Sequence, residues 1–389
     1  MRTEGFSSGL TSLTILFTFT PMGYLLLPWQ AEKDKEEKME KKPGLKANIR
    51  RSIQERREEI NLATLQLTQE SYLQPDLNFP LVVQPTMDGV NLAAWSKNNR
   101  EYLNTALAKH GAILFRNFPV DAPTKFEEFA AGVSANGELF DEYGDLPRDD
   151  PGLKIYHSTP YPADKSILFH NESSHMHRWP LKQWFYCVKA SEGKGATPII
   201  DCRETYNALD PALVQRFAEK KLLYVRNFIE GLDVSWQQFF QTSKKERVEE
   251  YCRDASIEFE WKSERHLKTQ QVCPAVVRHP ITGEMSFFNQ IQLHHISCLD
   301  AEVRNSMLSM FSEEDLPRNV YYGDGTPIED SVVAEISALY EKVAVRFHWQ
   351  AGDVLMLDNM MIAHARDPFE GTRKILVAMA DIMYQKDFI

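Results

Sequence analysis

A series of short apolar runs, beginning near residue 154 and separated by turn residues, constrains the fold more than any other feature of this chain. The runs are "KSILFH", "QWFYCVKA", "TPIIDC", "LLYVRNF", "AVVRH", "MSFFNQ", "VRFHW", "DVLMLDN", "MIAHA" and "KILVAMADI". Rich in Val, Ile and aromatic residues, and many of them bounded by Gly, Pro, Asp or Asn, they read as strands. Helical spacing appears in fewer places. "GVNLAAWSKNNREYLNTALAKHG" repeats apolar residues at helical intervals and puts Gly111 at the C-cap, with "AILFRNFPV" following as a buried strand. "TKFEEFAAGVSA", "DPALVQRFAEKK" and "DAEVRNSMLSMFSE" are further helices, the last two opening on an Asp that suits the positive end of the helix dipole. No glycine-rich phosphate loop and no internal repeat is present. The expected architecture is a β-sandwich or barrel carrying helices.

Charge and cysteine usage narrow the function classes. A net charge of −11 argues against a nucleic-acid face, which needs clustered Lys and Arg to neutralise phosphates. The five cysteines form no CxxC and no regular framework, as expected of buried free thiols in a reducing, cytoplasmic compartment. The first sixty residues stand apart. "LTSLTILFTFTPMGYLLLPW" is uncharged and close to bilayer length, but its threonines, Gly23, Pro21 and Pro28 weaken a spanning helix. Residues 1–30 therefore have two readings: a weak membrane anchor making contact through 9–29, or an upstream extension before a start at Met39. Residues 31–60 mix both charge signs densely and read as a solvated helix or linker, and the folded domain is expected over 61–389.

The candidate chemistry starts in "SILFHNESSHMHRWP". Crowding of histidines identifies nothing by itself in a chain with eleven of them. In a strand, however, residues i and i+2 share a face, so His170 and Glu172 would present an imidazole and a carboxylate side by side. Two His and one carboxylate on one face of an octahedron, with three positions left open, is the ligand set of non-haem Fe(II) oxygenases. His364, in the late apolar stretch "DVLMLDNMMIAHARDPFEGTRKILVAM", is the best third ligand, with His348 in "VRFHW" as its competitor. Nine residues beyond His364, Arg373 opens the strand "KILVAM", where a guanidinium could grip a dicarboxylate with two prongs.

A short His-x-Glu, a late His and an Arg soon after it resemble the taurine/2,4-D dioxygenase-like superfamily of Fe(II)/2-oxoglutarate enzymes. In that superfamily a Thr some two dozen residues after the first His helps bind the 2-oxoglutarate tail, and Thr197 matches it; "GAILFRNF" resembles its early core strand. The resemblance spans residues 80 to 385, roughly, and implies a mainly β member of the α+β class. Its core would be a double-stranded β-helix, or jelly roll, with flanking helices and helical insertions. It further implies Fe(II), 2-oxoglutarate and O2 as cofactor and co-substrates. His-x-Glu rather than His-x-Asp is similar to clavaminate synthase-like members. "FHNESSHMHRWP", "FFNQIQLHH" and "EEDLPRNVYYGDGTPIEDS" resemble SyrP-like proteins of nonribosomal peptide clusters. For that group the resemblance implies hydroxylation at the β-carbon of an amino acid, free or tethered to a peptidyl carrier protein.

Blander readings stand beside these. His175 and His177 are loop neighbours that could line a substrate entrance, and His294 and His295 are similar. Asn289 and Gln290 are candidate substrate contacts. Arg366 would share the face of His364 and either touch a substrate carboxylate or pair at the surface. Lys374 falls on the opposite face from Arg373. Related halogenases lack the metal carboxylate so that chloride can bind, and Glu172 argues against that chemistry. Desaturation or epoxidation by the same cofactors, a non-catalytic docking protein on the same fold, and a zinc hydrolase remain as rivals. The last offers no role for Arg373 and Thr197.

Overall fold

Long apolar runs make Arg178–Lys189 and Lys374–Tyr384 the longest strands, and they pair antiparallel as the fifth and sixth strands of a seven-stranded sheet. The computed structural model describes residues 67–140, 153–158, 161–229, 232 and 234–388. The expected anchor or extension at 1–30 and the linker at 31–60 lie outside them. Among the described residues no helix is long and apolar enough to cross a membrane.

In order, the sheet runs Thr68–Tyr72, Leu81–Pro85, Ala112–Phe115, Val354–Asp358, Arg178–Lys189, Lys374–Tyr384 and Tyr156–His157. Its central strands are apolar on both faces because both faces are covered. Trp184 and Tyr186 pack under Pro123–Val133 with Phe126 and Phe129. Phe185 and Cys187 face the other way, with Leu355, Leu357 and Val377. Burying each of these large side chains contributes about 1.5–3 kcal/mol.

One pair in the sheet is parallel, Leu81–Pro85 with Ala112–Phe115, and helices form its crossover. The expected single helix over 89–111 is two helices, Leu92–Asn98 and Arg100–His110. Asn99 separates them at φ −116°, ψ 27°, its N–H bonded back to the carbonyls of Trp95 and Ser96. Gly111 ends the second helix at φ 70°, as its position predicts, and a Cβ there would lie 2.7 Å from Ile362 Cδ1.

A second sheet has three short antiparallel strands, Ile167–His170, Ile362–Arg366 and Ile199–Asp201. A four-stranded sheet, Glu258–Ser263, His266–Cys273, Leu222–Ile229 and Arg318–Tyr322, lies in the middle of the sequence. Together with helices such as Pro211–Lys220 and Asp330–Val343, these make the chain a mixed α+β protein of several antiparallel sheets.

The expected strand at "VRFHW" does not form. Burial alternates along Val345, Phe347 and Trp349, which is why the pattern suggested one, but only Val345 bridges to another chain segment, at Ile199. The carbonyl of His348 instead accepts from Arg116, whose guanidinium also grips Asp353. All five cysteines are free, as expected.

Candidate metal centre

His170 and His364 are direct partners across the antiparallel pair of Ile167–His170 with Ile362–Arg366. Side chains of facing residues stand on the same side of a sheet, so the two imidazoles meet, with ring centroids 4.2 Å apart. His170 Nδ1 lies 2.8 Å from the carbonyl of Leu168, an acceptor, so Nδ1 carries the proton and Nε2 is left as the ligating nitrogen. His364 packs its ring against Phe185, at 4.8 Å between centroids. Burial, aided by His170, holds its pKa well below 6.5, which keeps the imidazole neutral and able to ligate.

Glu172 arrives differently from expectation. The strand stops at His170, and Glu172 opens the turn that follows, with Ser173 at φ 57°. Its direction is set by an amide clamp rather than by strand alternation. The Glu172 N–H donates to Asn359 Oδ1 at 2.6 Å, and Asn359 Nδ2 donates to the carbonyls of Glu172 and Pro180, each at 2.9 Å. Asn171 Nδ2 in turn donates to the Asn359 carbonyl. Gln183 Nε2 reaches the Glu172 carboxylate itself, 3.2 Å from Oε2.

His170, Glu172 and His364 are all buried, and each offers a ligand atom within 4.8 Å of the others. Among the described residues this is the one cluster of three or more His, Cys, Asp or Glu side chains able to hold a metal ion. Two imidazoles and one carboxylate fit a divalent iron and leave coordination positions open. The buried His364 Nδ1, which has no hydrogen-bond partner, agrees with an imidazole not committed to any protein acceptor.

The seven-stranded and three-stranded sheets face each other across the cavity that holds these residues. Gln183, Phe185, Ile375 and Val377 line it from one side, and Ile167, His170 and His364 from the other. Thr197, Arg366 and Arg373 line it as well. Arg373 donates from Nε to the Gly195 carbonyl and from an Nη to Thr197 Oγ1, both at 3.0 Å. Trp349 Nε1 also donates to Thr197 Oγ1, at 3.1 Å. Having accepted twice, the hydroxyl keeps its own proton for a further acceptor. Burial lowers the Arg373 pKa to about 10, with Arg366 adding to the effect, so the guanidinium still carries its charge at neutral pH.

The other expected contacts lie at different distances from this cavity. Asn289 does not face the cavity: Nδ2 donates to the Tyr340 hydroxyl and Oδ1 accepts from the Ile291 N–H. Gln290 likewise supports the Glu172 segment, donating to the Asn171 carbonyl. His175 also lies outside the cavity, its ring against His294 and Tyr224. Arg366 does line it, but its guanidinium donates to the carbonyls of Tyr161, Pro162 and Lys165, tying the His364 strand to the segment before the His170 strand. His348 is exposed and Lys374 is not among the lining residues. Sequence reasoning missed Gln183, Asn359 and Trp349. The signal for Gln183 was a lone amide in an otherwise apolar strand; the other two had none beyond a turn and an alternation.

A separate, roomier cavity of about 580 Å³ is lined by Ser173, His177, Trp179, Phe240 and Tyr251 among others. It meets the cluster only through Ser173, the neighbour of Glu172, so its size says nothing about the chemistry.

Comparison with known proteins agrees with this site. Residues 71–379 match the family model for taurine catabolism dioxygenase TauD, TfdA family. The dapdiamide synthesis protein DdaC of Enterobacter agglomerans is 39% identical over 282 residues, covering 72% of this chain and 85% of that protein. A clavaminate synthase-like protein of Arabidopsis thaliana is 29% identical over 323 residues, covering 77% of this chain and 93% of its own. The crystal structure of PvcB from Pseudomonas aeruginosa aligns with a TM-score of 0.48 at 14% identity, over 81% of this chain and 91% of that one. With the His-x-Glu and distant His brought together in its core, the chain belongs to the TauD/TfdA family and is a clavaminate synthase-like, non-haem Fe(II)/2-oxoglutarate-dependent dioxygenase.

Proposed function

We propose that the protein hydroxylates an unactivated C–H bond, at the β-carbon of an amino acid, in the biosynthesis of a nonribosomal peptide or related secondary metabolite. The observation that carries the reading is the shared cavity: the three clustered ligands and the Arg373–Thr197 pair line the same space. His170, Glu172 and His364 hold Fe(II) in this reading, and 61–389 is the catalytic domain on a double-stranded β-helix core. Arg373 supplies charge and the Thr197 hydroxyl its proton to the far carboxylate of 2-oxoglutarate. The bound iron supplies activation of O2, coupled to oxidation of 2-oxoglutarate to succinate and CO2. The protein residues orient the co-substrate and keep the site dry: Phe185, Ile375 and Val377 give the cavity an apolar wall.

The substrate side rests on likeness. The Enterobacter agglomerans relative is named for dapdiamide synthesis, which favours a biosynthetic role over a catabolic one. The segments that resemble SyrP-like proteins support an amino acid substrate, free or tethered to a peptidyl carrier protein. Anaerobic titration with Fe(II) and 2-oxoglutarate tests the core of the proposal. A visible metal-to-ligand charge-transfer band is expected in the wild type and not in Glu172→Ala. Once O2 is admitted, succinate release should rise on adding an aminoacyl carrier protein. No band in the wild type overturns the iron site, and a band without stimulation by any aminoacyl carrier or free amino acid overturns the substrate class.

A further inference from the structure

Gln183 is an amide in the middle of the Arg178–Lys189 strand, 1% exposed, on the face it shares with Phe185 and Cys187. Nothing about strand formation calls for a polar side chain there, and burying one without partners costs free energy. Its Nε2 has a partner, Glu172 Oε2 at 3.2 Å. A carboxylate only accepts, so this contact fixes which end of the amide is nitrogen. The other end, Oε1, is buried and finds no hydrogen-bond donor, while the residue lines the cavity alongside all three clustered ligands.

We propose that Gln183 is a positioning residue for the metal. Its Nε2–H holds the Glu172 carboxylate by Oε2 and so sets how that ligand meets the ion. Its Oε1 accepts a hydrogen bond from the water that fills an open coordination position before substrate binds. Water on a divalent cation is a strengthened donor, the kind of partner a buried amide oxygen lacks here. Hydrogen bonds to a ligating carboxylate tune metal affinity and ligand orientation, and both ends of this side chain then act on the same ion. The inference rests on the reading of His170, Glu172 and His364 as the iron site.

The test uses the full chain with Co(II) and 2-oxoglutarate, which binds without turnover, in wild type and Gln183→Met. Methionine keeps the length and approximate volume but neither polar atom. Co(II) binding is expected to weaken about 10–100-fold, and the visible band to gain intensity as a six-coordinate ion becomes five-coordinate. Wild-type affinity or an unchanged band in folded Gln183→Met overturns the proposal. If that variant does not fold, Gln183→Glu, which keeps an acceptor oxygen, is measured instead: a weak six-coordinate band supports the proposal and a five-coordinate band overturns it. Failure of the wild type to bind Co(II) would strike the iron site itself, so the two failures are distinct.

Discussion

His170 and His364 sit opposite each other on neighbouring antiparallel strands, with imidazole centroids 4.2 Å apart. Two imidazoles so close and so buried cannot both take up protons without a large electrostatic cost. His364 is therefore held in the neutral, ligating form by burial and by its neighbour. Each of the remaining features of the site serves either to aim a carboxylate at this pair or to place a charged group near it.

Asn359 is the first of these. Asn359→Ala removes three buried hydrogen bonds and strands the Glu172 N–H and the carbonyls of Glu172 and Pro180. At about 1 kcal/mol per bond plus the unsatisfied groups, a loss of about 3–5 kcal/mol in urea denaturation is expected. Co(II) affinity should fall about tenfold as Glu172 loses its anchor.

The 2-oxoglutarate end of the cavity allows a graded series. Trp349→Phe deletes one donor to Thr197 and should raise the KM for 2-oxoglutarate about fivefold. Thr197→Val, which removes the hydroxyl at nearly constant volume, should raise it about tenfold. Arg373→Lys should cost about a hundredfold, because a point charge cannot reproduce the fork. Steady-state kinetics with varied 2-oxoglutarate reads all three, and equal KM values across the series would contradict the assignment.

Acid should destabilise the metal-free protein. Burial holds His364 and His175 well below 6.5 and His177 at about 4, so the unfolded chain binds protons that the folded one excludes. Stability is then unaffected above the unfolded value and falls as pH drops below about 6.5, with His364 alone contributing about 1.4 kcal/mol per pH unit. Urea midpoints measured from about pH 7 to pH 5 should decline, and less steeply in His364→Gln.

Gly111 connects helix termination to the site. Gly111→Ala must adopt φ near 70° and push a methyl group against Ile362, which is fully buried two residues before His364. A loss of about 1–2 kcal/mol from backbone strain alone is expected, with further loss from the displaced Ile362. Thermal denaturation and Co(II) binding should both report it.

The sequence by itself determined the local chemistry: the His170–Glu172 pair, the strand character of "ILFH", "QWFYCVK" and "KILVAMADI", and the glycine that closes the helix before Ala112. Strand period, side-chain branching and turn preference act within a few residues, so they can be read from neighbours. His364 was legible too, because it is the one histidine of an apolar run. What only the tertiary structure decided is how those pieces meet. Which residue faces His170 depends on the register of two strands far apart in the chain. The turn at Glu172, the Asn359 clamp, the Gln183 contact and the reach of Trp349 to Thr197 all depend on long-range pairing of the same kind. The hydrogen-bond partners of Asn289 and Arg366 could not be read from the sequence for that reason: a buried amide or guanidinium takes whatever partners packing supplies, and here packing supplied a tyrosine hydroxyl, a backbone amide and three carbonyls.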